Sequence, residues 1–238
     1  MNRVLILGGG FGGLAAAHAL RAALPPQDRI VLVERRPTFV MGLRKSWALV
    51  GSSALAAGER SLELLTGRGI DVVFGEITEI DPAARAVRVG GRRLEAEAMI
   101  VALGAERLPH TIPGFIDHAL NVFDRDAIDQ AAAALRSFTG GTIAIGIFGA
   151  PYSCPPAPYE MAFLVNDLMR RRGVDARVEV FTPQPVSLPV VGAAGCDVLE
   201  SRLAQEGIAF YPNHQAIAVE HGEVGFREGR GRFDLLLG

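Results

Sequence analysis

The chain has 238 residues, 49% of them hydrophobic, and its 24 Lys and Arg against 26 Asp and Glu leave a net charge of −2. That length holds one large or two small domains with well-filled cores, and so small a net charge gives no electrostatic reason to expect nucleic acid. Two cysteines, Cys154 and Cys196, are too few for a disulfide scaffold, and five scattered histidines show neither C-x-x-C nor H-E-x-x-H spacing, so no metal site is expected.

Arg3–Leu7 is an apolar run of strand type that breaks into Gly8, Gly10 and Gly13, in the pattern G-x-G-x-x-G. A small-residue helix follows, from about Gly12 to Leu24, then a second strand, Ile30–Val33, ending at Glu34. The glycines have separate jobs: a tight turn, close backbone approach to a pyrophosphate, and close packing of helix on strand. A helix N-terminus adds free N–H groups and the positive end of a dipole. Glu34, 21 residues past Gly13, is placed to grip a ribose hydroxyl. Strand, glycines, helix and acid together predict a dinucleotide site. The glycines also weaken any reading of this stretch as a secretory signal. No apolar run reaches 18 residues, so no spanning helix is expected and the chain reads as cytoplasmic.

After Arg35 and Arg36 comes an irregular segment with Phe39, Met41, Arg44, Lys45 and Trp47, read as a surface excursion that buries its aromatics. Leu62–Thr66 is expected to be helical and Ile70–Phe74 a strand, continued in extended form to Asp81. Ala86–Val89 and Arg92–Glu95 flank Gly90-Gly91, a hairpin signal. Ala98–Leu103 is an apolar strand ending in Gly104-Ala105, and Pro109 to Pro113 reads as a linker. A helix is expected over Asp124–Phe138 with Asp124 as its N-cap. Thr142–Phe148 is wholly apolar, the signature of a buried parallel strand. A helix to about Arg172, a strand at Arg177–Thr182, a helix over Gly195–Glu206 and a strand at Ile208–Tyr211 follow. Short β segments at Ala216–Val219, Glu223–Arg227 and Arg232–Leu237 close the chain. The order predicts an α/β protein: two Rossmann-like units with parallel sheets and a small β excursion, over residues 1–112 and 113–238.

The second unit begins as the first does, but its turn carries prolines and Cys154 instead of glycines. Proline has no N–H to give a phosphate, so a nicotinamide nucleotide would be poorly held there. Cys154 stands just before a helix, a position that favours thiolate, and Glu160 six residues on could exchange protons near it. Read locally, the pair is equally an inert thiol and a helix-start acid favoured by the dipole. Cys196 reads as a buried structural thiol.

Together these residues resemble the FAD-dependent pyridine nucleotide-disulfide oxidoreductase superfamily, and within it the sulfide-oxidising branch, the sulfide:quinone oxidoreductases and the flavoprotein of flavocytochrome c sulfide dehydrogenase. Gly8, Gly10, Phe11, Gly12 and Gly13, with Glu34 and Arg35, match the FAD fingerprint. Glu76-Ile77-Thr78 resembles the adenine-side strand. Val101-Ala102-Leu103-Gly104-Ala105 looks like the second motif, usually A-T-G. Cys154-Pro155-Pro156-Ala157-Pro158-Tyr159-Glu160 is close to the branch's motif for one redox cysteine and its acidic partner. The resemblance implies FAD as cofactor, Ile77, Ala102 and Gly104 among its contacts, a small sulfur substrate and a quinone-like acceptor as partners, and Cys154 and Glu160 as catalytic residues.

Members of that branch run well past this point, returning to the FAD domain, adding a second redox cysteine that Cys196 does not match, and often ending in membrane-contact helices. Phe233–Gly238 resembles the strand that leads back. A truncated or naturally short chain is therefore expected to leave its Ala98–Leu103 and Leu235–Leu237 edges open, to hold flavin weakly or not at all, and either to self-associate through that edge or to be marginally stable. Contact with the inner membrane face would belong to the tail. Two other readings stand beside this one: an NADH-oxidising flavoprotein of the type II dehydrogenase kind, and a non-catalytic nucleotide-binding module.

Overall fold

The computed structural model describes residues 2–238. The chain divides into two compact units, Met1–Met41 with Gly58–Arg107, and Gly42–Ala57 with Leu108–Gly238.

The first unit is built on four parallel strands. β1 (Arg3–Leu7) leads into α1 (Phe11–Ala23) and returns as β2 (Arg29–Glu34); a two-residue pair, β3 (Thr38–Phe39) and β4 (Arg60–Ser61), precedes β5 (Asp71–Phe74). An antiparallel meander, β6 (Ile77–Asp81), β7 (Ala86–Val89) and β8 (Arg92–Glu95), comes before β9 (Ala98–Val101). The parallel sheet runs β5-β2-β1-β9. Its central strands are apolar from Val4 to Leu7 and from Ile30 to Val33, where both faces are covered. Ile6, Ile30 and Leu32 pack with Ala17, Leu62 and Leu65 on one side. Leu5, Leu7, Val31 and Val33 meet Val87 and Val89 of the meander on the other. On α1 the buried residues are Gly13 and Ala17, one turn apart, so the helix presents a smooth face to the sheet. Gly90 and Gly91 both have positive φ, +54° and +78°, as the tight β7–β8 hairpin requires.

The second unit repeats the plan. It starts with α2 (Arg44–Leu49), inserted from the first half of the chain, and resumes with α3 (Phe115–His118) and α4 (Ile128–Ser137). Then come β10 (Gly141–Gly146), α5 (Ala157–Arg172), β11 (Ala176–Phe181), α6 (Gly192–Gln205) and β12 (Ala209–Tyr211). An antiparallel set, β13 (Ala216–Glu220), β14 (Glu223–Phe226) and β15 (Arg230–Arg232), precedes β16 (Leu235–Leu237). The parallel order is β12-β11-β10-β16, the same arrangement as in the first unit. Between the sheet and the antiparallel set lies an aromatic core: the Phe148 ring meets Phe115 at 4.8 Å and Phe181 at 5.4 Å, edge to face, and Phe181 meets Phe226 at 5.1 Å.

Three local expectations change. α4 begins at Ile128 rather than Asp124, because the Asp124 carboxylate takes the Asp126 N–H (2.9 Å) and Asn121 Oδ1 takes the N–H groups of Phe123 and Asp124. These side-chain turns compete with the first helical turn. The expected excursion is α2, buried through Ala48 and Leu49, while Trp47 stays 44% exposed beneath the Arg44 guanidinium, 5.4 Å from its ring centre. The Leu235–Leu237 edge, expected open, is closed by the chain's own segment 120–122: Leu120 N–H donates to Leu236, Gly238 N–H to Leu120 and Val122 N–H to Gly238, at 2.9, 3.0 and 3.0 Å. Leu236 and Leu237 are accordingly buried. At β9 the expected exposure is present, with Val101 59% and Leu103 50% exposed.

Candidate functional site

Two turns leave the two parallel sheets at corresponding places, next to the strand where the sheet order reverses. In open α/β sheets that is where ligands bind.

The turn after β1 carries the glycines. Gly8 has φ +101°, and a Cβ there would overlap the Ala102 carbonyl. Its N–H donates to Val33 O at 2.8 Å, and Ala102 N–H donates to Leu7 O at 2.8 Å, which ties the turn to both neighbouring strands. A Cβ on Gly13 would overlap the Gly8 carbonyl, so that glycine is a requirement of the turn. Gly10 differs: nothing lies within 4 Å of where its Cβ would be, so the backbone there is bare and accessible. Gly10 is the N-cap of α1 with no side-chain cap, and the first turn carries no acidic residue. The start of this helix thus keeps its positive dipole end uncompensated by any side chain, as an anion site requires.

Glu34 ends β2 beside this turn. Its Oε2 accepts the Gly9 N–H at 2.6 Å and its Oε1 the Arg36 N–H at 3.0 Å. Glu34 thus braces the glycine turn, a task the sequence did not suggest, and each oxygen keeps a lone pair that could take a hydroxyl. Gly9, which the G-x-G-x-x-G pattern leaves unspecified, supplies the N–H. Phe11 is 64% exposed and meets Phe39 edge to face at 5.1 Å. Gly12 has only the Ala102 methyl near its Cβ position, at 3.6 Å. Gly104 takes φ +76° in open space. Arg35 reaches Glu76 Oε1 at 4.0 Å, both exposed, and Ile77 packs on the Leu5–Leu7 side of the core. The structure therefore gathers Gly8, Gly10, Phe11, Gly12, Gly13, Glu34 and Ala102 around one turn.

The turn after β10 is built differently. Ile147 N–H holds it to Phe181 O at 3.0 Å. Cys154 is half-buried and carries no disulfide; its carbonyl accepts the Ala157 N–H at 3.1 Å. Pro156 is the N-cap of α5 and Pro158 lies in its first turn. The opening of this helix thus spends one N–H on the Cys154 carbonyl and lacks another altogether. Glu160 is exposed on the first turn of α5, and its Oε2 lies 3.3 Å from Ser46 Oγ of α2. Ser46 was missed by sequence reasoning, because no local pattern joins positions 114 residues apart.

Behind Cys154 the turn is anchored by phenols. Tyr159, 2% exposed, donates to the Ser187 carbonyl, and the Ser187 N–H donates to Glu200 Oε1 at 2.9 Å. Tyr152 donates to Pro155 O at 3.3 Å. Burial pushes the Tyr159 phenol far above its ordinary pKa, with the Tyr152 phenol alongside adding to it. Tyr152 is raised too, again mainly by burial. Both therefore stay neutral donors across the physiological range. A surface cavity of ≈ 690 Å³ lies elsewhere in this unit, among Phe115, His118, Asn121, His221 and Phe233, and none of the predicted catalytic or cofactor-binding residues lines it.

Residues 2–233 match the model of the family described as pyridine nucleotide-disulphide oxidoreductase. The sulfide-quinone reductase of Aquifex aeolicus is 25% identical over 246 residues, covering 97% of this chain and 55% of that protein. A NADH dehydrogenase-like protein of Mycobacterium tuberculosis is 24% identical over 247 residues, covering 96% and 60%. Among solved structures, the sulfide:quinone oxidoreductase from Aquifex aeolicus superposes with a TM-score of 0.92 at 21% identity, over all of this chain and 58% of that one. NDH2 from Plasmodium falciparum, solved in complex with NADH, gives 0.80 at 15% identity, over 99% and 54%. The chain spans about half the length of the curated relatives it matches.

Proposed function

This chain belongs to the pyridine nucleotide-disulphide oxidoreductase family, a family of FAD-dependent enzymes, and we propose that it is an FAD-dependent oxidoreductase of the sulfide:quinone type. The first unit fits the cofactor. The bare Gly10 backbone and the uncapped, acid-free start of α1 are a cradle that a side chain or carboxylate would fill. Gly8, Gly10, Phe11, Gly12 and Gly13 would hold the pyrophosphate and Glu34 a ribose, with Arg35, Ile77, Ala102 and Gly104 as further contacts. FAD supplies, when bound, a two-electron acceptor.

The observation that carries the sulfur reading is the second turn. Where a nucleotide loop offers N–H groups, it offers the half-buried Cys154, stiff prolines and the exposed Glu160. Cys154 would carry the sulfur being oxidised, and Glu160 would take and return its proton. A small sulfur compound is the proposed reductant and a quinone-like molecule the proposed acceptor, on the likeness to the named sulfide-quinone reductases. Among the described residues no helix is long and apolar enough to cross a membrane, and a place in the cytoplasm or on the inner membrane face is part of the same proposal. NADH oxidation is the second reading, favoured by the NADH dehydrogenase-like relative, with the proline-rich turn against it.

Anaerobic mixing of FAD-loaded protein with sulfide, then separately with NADH, tests the choice. Bleaching of the flavin by sulfide, lost in Cys154→Ser, is expected. Bleaching by NADH but not by sulfide would overturn the sulfur reading.

A further inference from the structure

Ser46 is 3% exposed, and its Oγ stands 3.0 Å from the Leu43 carbonyl oxygen and 3.3 Å from Glu160 Oε2. The helix that carries it is fixed within the second unit. Lys45 Nζ donates to Phe123 O at 2.5 Å, an Arg44 guanidinium N–H donates to Ser53 Oγ at 2.9 Å, and Ala48 and Leu49 are buried. Ser46 therefore cannot drift from its two neighbours.

A hydroxyl has one proton to donate and two lone pairs to accept with, so Ser46 cannot donate to both oxygens at once. A carboxylate only accepts; a carboxylic acid can also donate. With Glu160 ionised, the Ser46 proton turns to Oε2. With Glu160 protonated, the acid donates to Ser46 Oγ and the Ser46 proton turns to the Leu43 carbonyl. Rotation about one C–O bond converts one arrangement into the other, and the buried hydroxyl is satisfied in both. Stranding it in either state would cost free energy; this geometry avoids that penalty on each side of the proton exchange. Glu160 is meanwhile exposed, so protons reach it from solvent or substrate.

We propose that Ser46 is the positioning residue for Glu160, a two-way hydroxyl that holds the carboxyl in one place while it gains and loses a proton. This rests on Glu160 being the proton carrier proposed above. Ser46 makes no net transfer: its own proton only changes direction, and the exchanged proton stays on Glu160 until it leaves. Besides Glu160, the ionisable groups on the packed elements are Arg44 and Lys45 of α2, Asp129 and Arg136 of α4, and Tyr159, Asp167, Arg170, Arg171 and Arg172 of α5, with Tyr152 and Cys154 in the preceding turn.

Infrared difference spectra of the full chain between acid and neutral solution test this without requiring turnover. Glu160→Gln identifies the Glu160 carboxyl band by its loss. In Ser46→Ala that band is expected to shift, and Ser46→Cys, which puts a slightly larger, weakly hydrogen-bonding thiol in place of the hydroxyl, should shift it in the same direction should the alanine variant fold poorly. An unmoved band in a folded variant overturns the proposal. In sulfide turnover, Ser46→Ala should lower kcat about tenfold with KM unchanged, the usual consequence of losing one hydrogen bond to a charged group. Combined with Glu160→Gln it should add no further loss, and an additive loss would contradict the coupling. Full turnover in Glu160→Gln alone would instead refute the proton-carrier role while leaving the infrared result standing.

Discussion

The turns after β1 and β10 leave sheets of the same strand order at the same place, and they are chemical opposites. The first uses glycine to bring bare backbone and a free helix start to the surface, with Glu34 bracing it. The second fills the corresponding space with Pro151, Pro155, Pro156 and Pro158 around Cys154. One turn presents N–H donors suited to phosphate; the other withholds them and presents a thiol. The strand order fixes where a ligand can sit, and the residues of the turn decide which chemistry it meets.

The largest expected effect breaks the first turn. Gly13→Val should destabilise the protein by more than about 3 kcal/mol, because the added carbons collide with a backbone carbonyl that cannot move without its strand. Urea unfolding measures this. Gly10→Trp sharpens the point: stability should change by no more than about 0.5 kcal/mol, since the site is open, while FAD affinity is lost to bulk where the pyrophosphate belongs. Equal damage to stability by both variants would remove the distinction between a packing glycine and a binding one.

Glu34→Ala should cost about 1.5–3 kcal/mol of FAD binding, the range for hydrogen bonds to a charged group, as read by calorimetry. The loss combines the ribose contact with the bracing of the Gly9 and Arg36 N–H groups.

In the second turn, Cys154 should react with a small alkylating reagent at least about tenfold faster than Cys196, which is 2% exposed within α6. Rates in Cys154→Ser and Cys196→Ser decide this, and equal rates would contradict it.

The smallest effect concerns the anchor of that turn. Tyr159→Phe should cost about 1 kcal/mol, one hydrogen bond. The folded-state pKa of Tyr159 is raised above its unfolded value of about 10. Its contribution is therefore fully present below pH about 10 and is lost as pH rises further, because the unfolded chain releases the proton first. Urea midpoints in alkaline solution should fall more steeply for the parent protein than for the phenylalanine variant.

Much of the first turn was legible in the sequence because its determinants are local. A strand, three spaced glycines, a small-residue helix and an acid lie within 32 residues. The parallel sheets were legible for a similar reason, as apolar runs such as Leu5–Leu7 and Ile143–Ile145 have both faces covered. What escaped depends on contacts distant in sequence. The docking of α2 on the second unit, the Ser46–Glu160 pair and the closing of β16 by segment 120–122 leave no periodic or compositional trace. The false start at Asp124 is a competition between a cap and two local side-chain turns, which residue type alone does not decide.

The contrast between the turns is tested most directly by titrating ADP and NADH into the protein and into Gly10→Trp by calorimetry. One adenine nucleotide site per chain is expected, abolished in Gly10→Trp, with no heat left that can be assigned to the second turn. A second nucleotide-binding event that survives Gly10→Trp would contradict the division of labour between glycines and prolines.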